Sequence, residues 1–336
     1  MNGLERMTAA VMFRPTDRTP VAPQIFAHAA VLAGVPLIDY SRDGALVARC
    51  QLEALDRYGH DAVFAFMDAN VETEAAGSVV DFHHDQYSQV VSYALASGVA
   101  LERLSPPDPS TAGRMPELLK AVSILRAEAG DAALVVGVVL GPMTLAQQLM
   151  GPEAALYFAA DEPQRFEGLL DSAVQIALRF GQAQLAAGAH ALMIFEPGAS
   201  PAVVPPTFFR ELILPRLALL CRTFKQAGAV ANWLHIAGPT EPILGYYADA
   251  GVDIANLDYA VDPVRARRLL PRTCLDGNIR PLAFVLESPE RIAAEARRLV
   301  ELFADRSGFV LSSGCEIPPE SKEENVAAMV AAARGA

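Results

Sequence analysis

Phe309-Val-Leu-Ser-Ser-Gly-Cys-Glu-Ile-Pro-Pro-Glu-Ser321 runs from a short apolar stretch into a cysteine at a turn, then into a proline pair. Phe309 to Leu311 is too short for a helix, and Gly314 punctuates it. Pro318-Pro319 blocks regular structure until Glu320 opens a helical pattern that ends near Ala333. The stretch therefore reads as strand, loop and helix. α/β enzymes keep their chemistry at the carboxyl ends of parallel strands, so Cys315 is a candidate metal ligand or nucleophile. The competing reading is a small buried core residue, since free cysteine is among the most buried types.

The same unit recurs upstream. Leu4 to Met12 forms a short amphipathic pattern stopped by Arg14-Pro15, and Pro20 to Phe26 is the first strand candidate. Helical periodicity covers Asp43 to Tyr58, and Asp61 to Phe66 is a second buried strand. From residue 115 the alternation is regular: helix Met115–Ala129, strand Ala133–Leu140, helix to Met150, a long helical stretch Asp161–Ala187, strand Ala189–Phe195, and helix Pro206–Ala227. Strand Val230–Ile236, helix 240–250, strand Asp253–Leu257, helix Pro263–Leu270, strand Cys274–Ile279, helix 288–304 and strand 308–314 complete it. Eight strands, nearly all separated by helices, predict a single (β/α)8 barrel of the TIM type spanning 1–336. Residues 1–19 form an N-terminal helical arm, and 69–115 an irregular insertion after the second strand that acts as a lid. A doubly wound sheet is disfavoured because no Gly-x-Gly-x-x-Gly follows a strand.

Composition narrows the partners. The 336 residues carry a net charge of −12, with 52% hydrophobic and 20% charged residues. No basic patch opposes that balance, so neither nucleic acid nor an anionic membrane is an expected partner, and a small molecule or another protein is. Cysteines at 50, 221, 274 and 315 lack paired spacing, which argues for a reducing compartment. There is no apolar run of membrane-spanning length and no signal-peptide core, so a cytoplasmic location is expected.

In a barrel, strand ends share one mouth. His28 follows the first strand and Asp68 with Glu72 or Glu74 the second. Met143 and Thr144 follow the third, Glu196 the fourth and His235 the fifth. Asp258 follows the sixth, Asn278 and Arg280 the seventh, and Cys315 the eighth. His235, Cys315 and Glu196 are donor types that zinc accepts, and three protein ligands with one open position describe a catalytic zinc. The plainer readings stay open: a hydrogen-bonded histidine, a glutamate bound to substrate or to a backbone amide, and an inert thiol. His83-His84 reads as solvent-facing, and Cys50, Cys221 and Cys274 as packing residues.

PVAPQIF at 20–26, ETEAAG at 72–77, GPMTLAQQLMG at 141–151, EPGASP at 196–201, LHIAGPT at 234–240, DGNI at 276–279 and SSGCEIPPES at 312–321 together resemble the uroporphyrinogen decarboxylase superfamily. Within it the chain is most similar to the branch of cobalamin-dependent methyltransferases that includes methylcobamide:coenzyme M methyltransferases. The decarboxylases carry an arginine-containing segment after the first strand that holds porphyrinogen carboxylates, whereas Ile25-Phe-Ala-His-Ala-Ala30 stands here. The methyltransferase resemblance implies a zinc held by a His-x-Cys pair at the fifth strand and a cysteine at the last. His235 and Cys315 match, but position 237 is Ala, so Glu196, or else Asp258, is the expected replacement ligand.

The resemblance implies methyl transfer between a corrinoid and a small acceptor, expected to be a thiol activated by zinc. His235, Cys315 and Glu196 would be the catalytic and metal-binding residues, and Asp68, Gln86, Tyr87, Asp258, Asn278 and Arg280 the substrate contacts. No Asp-x-His-x-x-Gly corrinoid loop occurs, so the cobalamin would arrive on a separate protein or free; a homodimer is compatible with this picture. The alternatives are a lyase or decarboxylase of a non-porphyrin acid using Asp68 or Glu196, and a barrel-shaped binding subunit without turnover.

Overall fold

The computed structural model describes residues 1–96, 101, 104–305 and 307–335. Seven parallel strands curl in the order β1 (Ala62–Ala65), β4 (Leu134–Leu140), β5 (Ala191–Phe195), β6 (Ala231–His235), β7 (Ile254–Asn256), β8 (Cys274–Ile279) and β9 (Phe309–Ser313). β2 (Val79–Asp81) and β3 (Gln89–Ser92) form a separate antiparallel hairpin. The eighth place in the barrel belongs to residues 20–24. Pro20 O accepts from Leu311 N at 2.9 Å, Ala22 N donates to Leu311 O at 3.0 Å, and Val21 O accepts from Asp61 N at 2.7 Å. The expected strand Pro20–Phe26 thus shrinks to a bridge at Val21. Pro20 and Pro23 have no N–H to donate, so the ladder cannot extend through them.

Strand alternation sorts the side chains into two layers. Phe64, Val136, Met193, Trp233, Ile254, Cys274 and Val310 fill the barrel interior, while Leu192, Ile194, Leu234, Ala255, Leu275 and Leu311 pack with the surrounding helices. The amino-terminal helix Gly3–Val11 plugs the bottom. Asn2 caps it, accepting from Glu5 N at 2.8 Å, and Met7 and Ala10 join the interior cluster. Arg6 and Arg18 reach buried Asp61 at 2.6 and 2.7 Å. Gly3 must be glycine here, because a Cβ would lie 2.1 Å from Ala132 O.

Helices Gly44–Tyr58, Met115–Ala129, Pro263–Leu269, Pro289–Leu302 and Glu323–Ala333 fall where periodicity places them. Three segments differ. The stretch Asp161–Ala187 is the helix Pro163–Ala186, and a helix not expected from the sequence, Pro152–Asp161, precedes it, the two separated at Glu162 because Pro163 disfavours a helical residue before it. Pro206–Ala227 is interrupted by a π-type turn over Phe209–Ile213. Residues 240–250 form no α-helix: Pro239 and Pro242 remove donors, Gly245 loosens the middle, and only a 3₁₀ turn at Leu244–Tyr246 results. The insertion 69–115 holds the helix Val71–Ala75 and the β2–β3 hairpin; its residues 97–100, 102 and 103 lie outside the described residues.

Candidate functional site

His235 closes β6 and Cys315 follows β9 across the mouth, and the barrel brings them together: Cys315 Sγ lies 3.5 Å from His235 Nε2. The turn Ser313-Gly-Cys315 is held by Gly314 N donating to Ile279 O at 2.8 Å. Gly314 packs so closely on the loop after β7 that a Cβ would sit 2.4 Å from Tyr259 N. Burial pushes the Cys315 thiol up to about 12 and His235 down to about 4, so both groups are neutral near pH 7.

His235 is fully buried. Its ring stacks on Phe195 with centroids 4.7 Å apart and planes 9° from parallel. Below it, Nδ1 is 2.7 Å from Asn256 Oδ1, and Asn256 Nδ2 donates to Asp276 Oδ2 at 2.6 Å. Desolvation raises Asp276 to about 8. Above it, an aromatic wall continues from Phe195 to Phe66 and from Phe66 to Tyr87, at centroid distances of 6.0 and 6.4 Å. The Tyr87 hydroxyl donates to Glu316 Oε1 and accepts from Ala27 N at 3.0 Å. Desolvation moves Glu316 up to about 7. Tyr87 stands in the loop between β2 and β3, so the insertion is fastened across the mouth to the loops that follow the first and last strands.

The other expected residues are placed differently. Glu196 extends β5 on the parity of Leu192 and Ile194, which face the helices, so it leaves the barrel axis. Its Oε1 and Oε2 accept from Met143 N and Thr144 N at 2.8 and 2.9 Å, capping the helix Pro142–Met150; burial raises it to about 7. Asp68 accepts from Arg114 Nη1 and Nη2 at 2.7 and 3.0 Å and from Ser88 Oγ at 2.7 Å, anchoring the insertion. Asp258 joins two loops by accepting from Gly238 N and Ala260 N. Asn278 Nδ2 donates to the carbonyls of Asp258 and Val261. Arg280 lies over the Tyr259 ring at 5.8 Å on the rim of an outer groove of about 670 Å³, and Gln86 is exposed beside Tyr87. His28 ties loops together, with Nδ1 at 3.0 Å from Pro319 O and Nε2 at 2.9 Å from the Tyr58 hydroxyl.

These placements decide how a metal could be held. Among the described residues no group of three or more His, Cys, Asp and Glu side chains is arranged to hold one. His235 Nε2 and Cys315 Sγ offer two donors, both Glu196 oxygens face backbone amides, and residue 237 presents only a methyl group. A zinc with three protein ligands does not fit this donor set. Gln24, Asn256, Asp276, Phe195 and Glu316 were not singled out from the sequence. The available signal was a polar residue on the inward parity of an apolar strand, as in Ile254-Ala-Asn256 and Cys274-Leu-Asp276.

The family model for uroporphyrinogen decarboxylase (URO-D) matches residues 2–336. A methylcobamide:CoM methyltransferase MtaA of Methanosarcina barkeri is 27% identical over 333 residues, covering 97% of this chain and 96% of the relative. A uroporphyrinogen decarboxylase of Rhodococcus opacus is 28% identical over 316 residues, covering 89% and 85%. The solved structure of a methyltransferase from Methanosarcina mazei superposes with a TM-score of 0.91 at 26% identity, covering 100% of this chain and 99% of that one.

Proposed function

We propose, from the premise that this chain belongs to the uroporphyrinogen decarboxylase family, that it is a methyltransferase moving a methyl group between a corrinoid and a small acceptor bound at the barrel mouth. The observation that carries the reading is the meeting of His235 and Cys315 at 3.5 Å under an aromatic wall, in a chain similar over nearly its whole length to methylcobamide:CoM methyltransferases and to a methyltransferase of solved structure. Such a corrinoid is a substrate that supplies an activated methyl carbon, carried by a separate protein or free.

The acceptor is a thiol activated by side chains alone, because two protein donors would leave a zinc dependent on the acceptor and solvent for its remaining positions. The acceptor sulfur forms a bond to the methyl carbon as its S–H proton passes to His235 Nε2, and the carbon–cobalt bond breaks with its electron pair remaining on cobalt. A base as weak as His235 suffices, since the S–H proton becomes far more acidic as sulfur shares its pair with carbon. Cys315 shares the polar end of the mouth with the acceptor sulfur. Phe195, Phe66 and Tyr87 exclude water and present apolar faces to the methyl group. Asp68 and Glu196, the carboxylates a lyase reading would use, are both engaged by the protein itself, which leaves that reading without its acid and base.

The test is consumption of methylcobalamin, followed by its visible spectrum, with a panel of small thiols. Protein-dependent demethylation with at least one thiol is expected; no demethylation of methylcobalamin with any thiol, together with no methylation of cob(I)alamin by the corresponding methyl thioethers, would refute the proposal.

A further inference from the structure

Asn256 lies between two buried groups whose needs fix its orientation. Its Nδ2 is 3.3 Å from the Ser313 carbonyl oxygen, which can only accept, and 2.6 Å from Asp276 Oδ2, which already accepts from the donor-only Trp233 Nε1, so Nδ2 donates to both and Oδ1 remains as the acceptor. That Oδ1 is 2.7 Å from His235 Nδ1, a separation that requires a hydrogen between them. Nδ1 therefore carries the proton, and Nε2 keeps its lone pair toward Cys315. The opposite tautomer would set two acceptors face to face at 2.7 Å. It would also leave Nδ1 to Gln24 Nε2 at 3.5 Å, the outer limit of a hydrogen bond. Trp233 Nε1 donates to the same Asp276 oxygen at 3.2 Å, which steadies the far end of the chain, and Phe195 fixes the plane of the ring. Trp233, His235, Asn256 and Asp276 are all fully buried, so water does not compete for these bonds.

We propose that Asn256 and Asp276 are positioning residues, which hold His235 in its Nδ1–H tautomer so that the Nε2 lone pair faces Cys315 and the reacting sulfur. The tautomer follows from the hydrogen bonds; its consequence for turnover rests on the methyl-transfer reading, so the first readout involves no turnover.

The experiment is a long-range proton–nitrogen correlation spectrum of the full chain labelled with ¹⁵N in its histidine rings, with His235 assigned by the signal lost in His235→Gln. The wild-type protein should give the Nδ1–H pattern near neutral pH. Asn256→Leu should abolish that pattern and lower kcat about 10- to 100-fold with little change in KM. The conservative Asp276→Asn should keep both, because its amide oxygen can take the place of Oδ2 and accept from Asn256 Nδ2 and from Trp233 Nε1. An Nε2–H pattern in the wild-type protein, which needs no variant to fold, would overturn the proposal, as would an unchanged pattern in Asn256→Leu. An Nδ1–H pattern in a protein that transfers no methyl group would overturn the catalytic consequence while the tautomer stands.

Discussion

Removing the cation at Arg114 tests whether Asp68 is a structural anchor or a group kept for substrate. The two side chains are 7% and 1% exposed, and the carboxylate has two guanidinium contacts, the Ser88 hydroxyl and the Asn70 amide around it. The guanidinium also donates to the Ser41 carbonyl at 2.7 Å and to Glu74, so one side chain joins the strand end, the insertion and the preceding loop. Arg114→Met leaves a buried carboxylate with only a hydroxyl and an amide, and breaking a buried pair from one side costs about 3–5 kcal/mol. Asp68→Leu leaves the guanidinium with Glu74 and a carbonyl and should cost less, and the double variant should cost less than the sum of the singles. Urea unfolding of the four proteins gives the coupling energy directly, expected near 2 kcal/mol or above. A change under about 1 kcal/mol in Arg114→Met, or additive singles, would refute a structural role for the pair and return Asp68 to the list of substrate contacts.

Because His235 is depressed to about 4 by burial, it stays neutral and able to accept a proton well below its ordinary range, so the methyl-transfer rate should hold from pH 8 down to about 5; an acid limb near 6.5 would show an unshifted imidazole. Glu196→Gln replaces one acceptor of the helix cap with an amide that cannot serve a backbone N–H, and should cost about 1–2 kcal/mol in thermal or urea unfolding; unchanged stability with altered metal content would instead mark Glu196 as a ligand. Dialysis against a chelator should leave the rate intact, and near-stoichiometric zinc that disappears in Cys315→Ala would contradict the two-donor site.

Much of the barrel was legible because its elements alternate cleanly: a Val-rich run at 134–140 between helices has few other solutions. The first strand was legible in its place but not in its extent, since Pro20 and Pro23 withhold the donors that would lengthen its ladder beyond the single bridge at Val21, and the same chemistry emptied 240–250 of its helix. At the site, His235 and Cys315 could be paired across 80 residues because both stand at strand ends of one closed barrel. Glu196 illustrates the limit. Its type and its place at a strand end suggest a ligand, but its parity turns it toward the amides that open the next helix. Asn256 and Asp276 went unnoticed because they lie one layer beneath the mouth, where a polar residue in an apolar strand is meaningful only once its partners are known.

The most direct test of the central claim is a single-turnover comparison with methylcobalamin and an accepted thiol, using wild type, His235→Gln, Cys315→Ala and Asp68→Asn, each shown folded by circular dichroism. Losses of about 100-fold or more in His235→Gln, with a smaller loss in Cys315→Ala and a rate close to wild type for whatever Asp68→Asn remains folded, would place the chemistry at the pair. Equal rates in wild type and His235→Gln would contradict it.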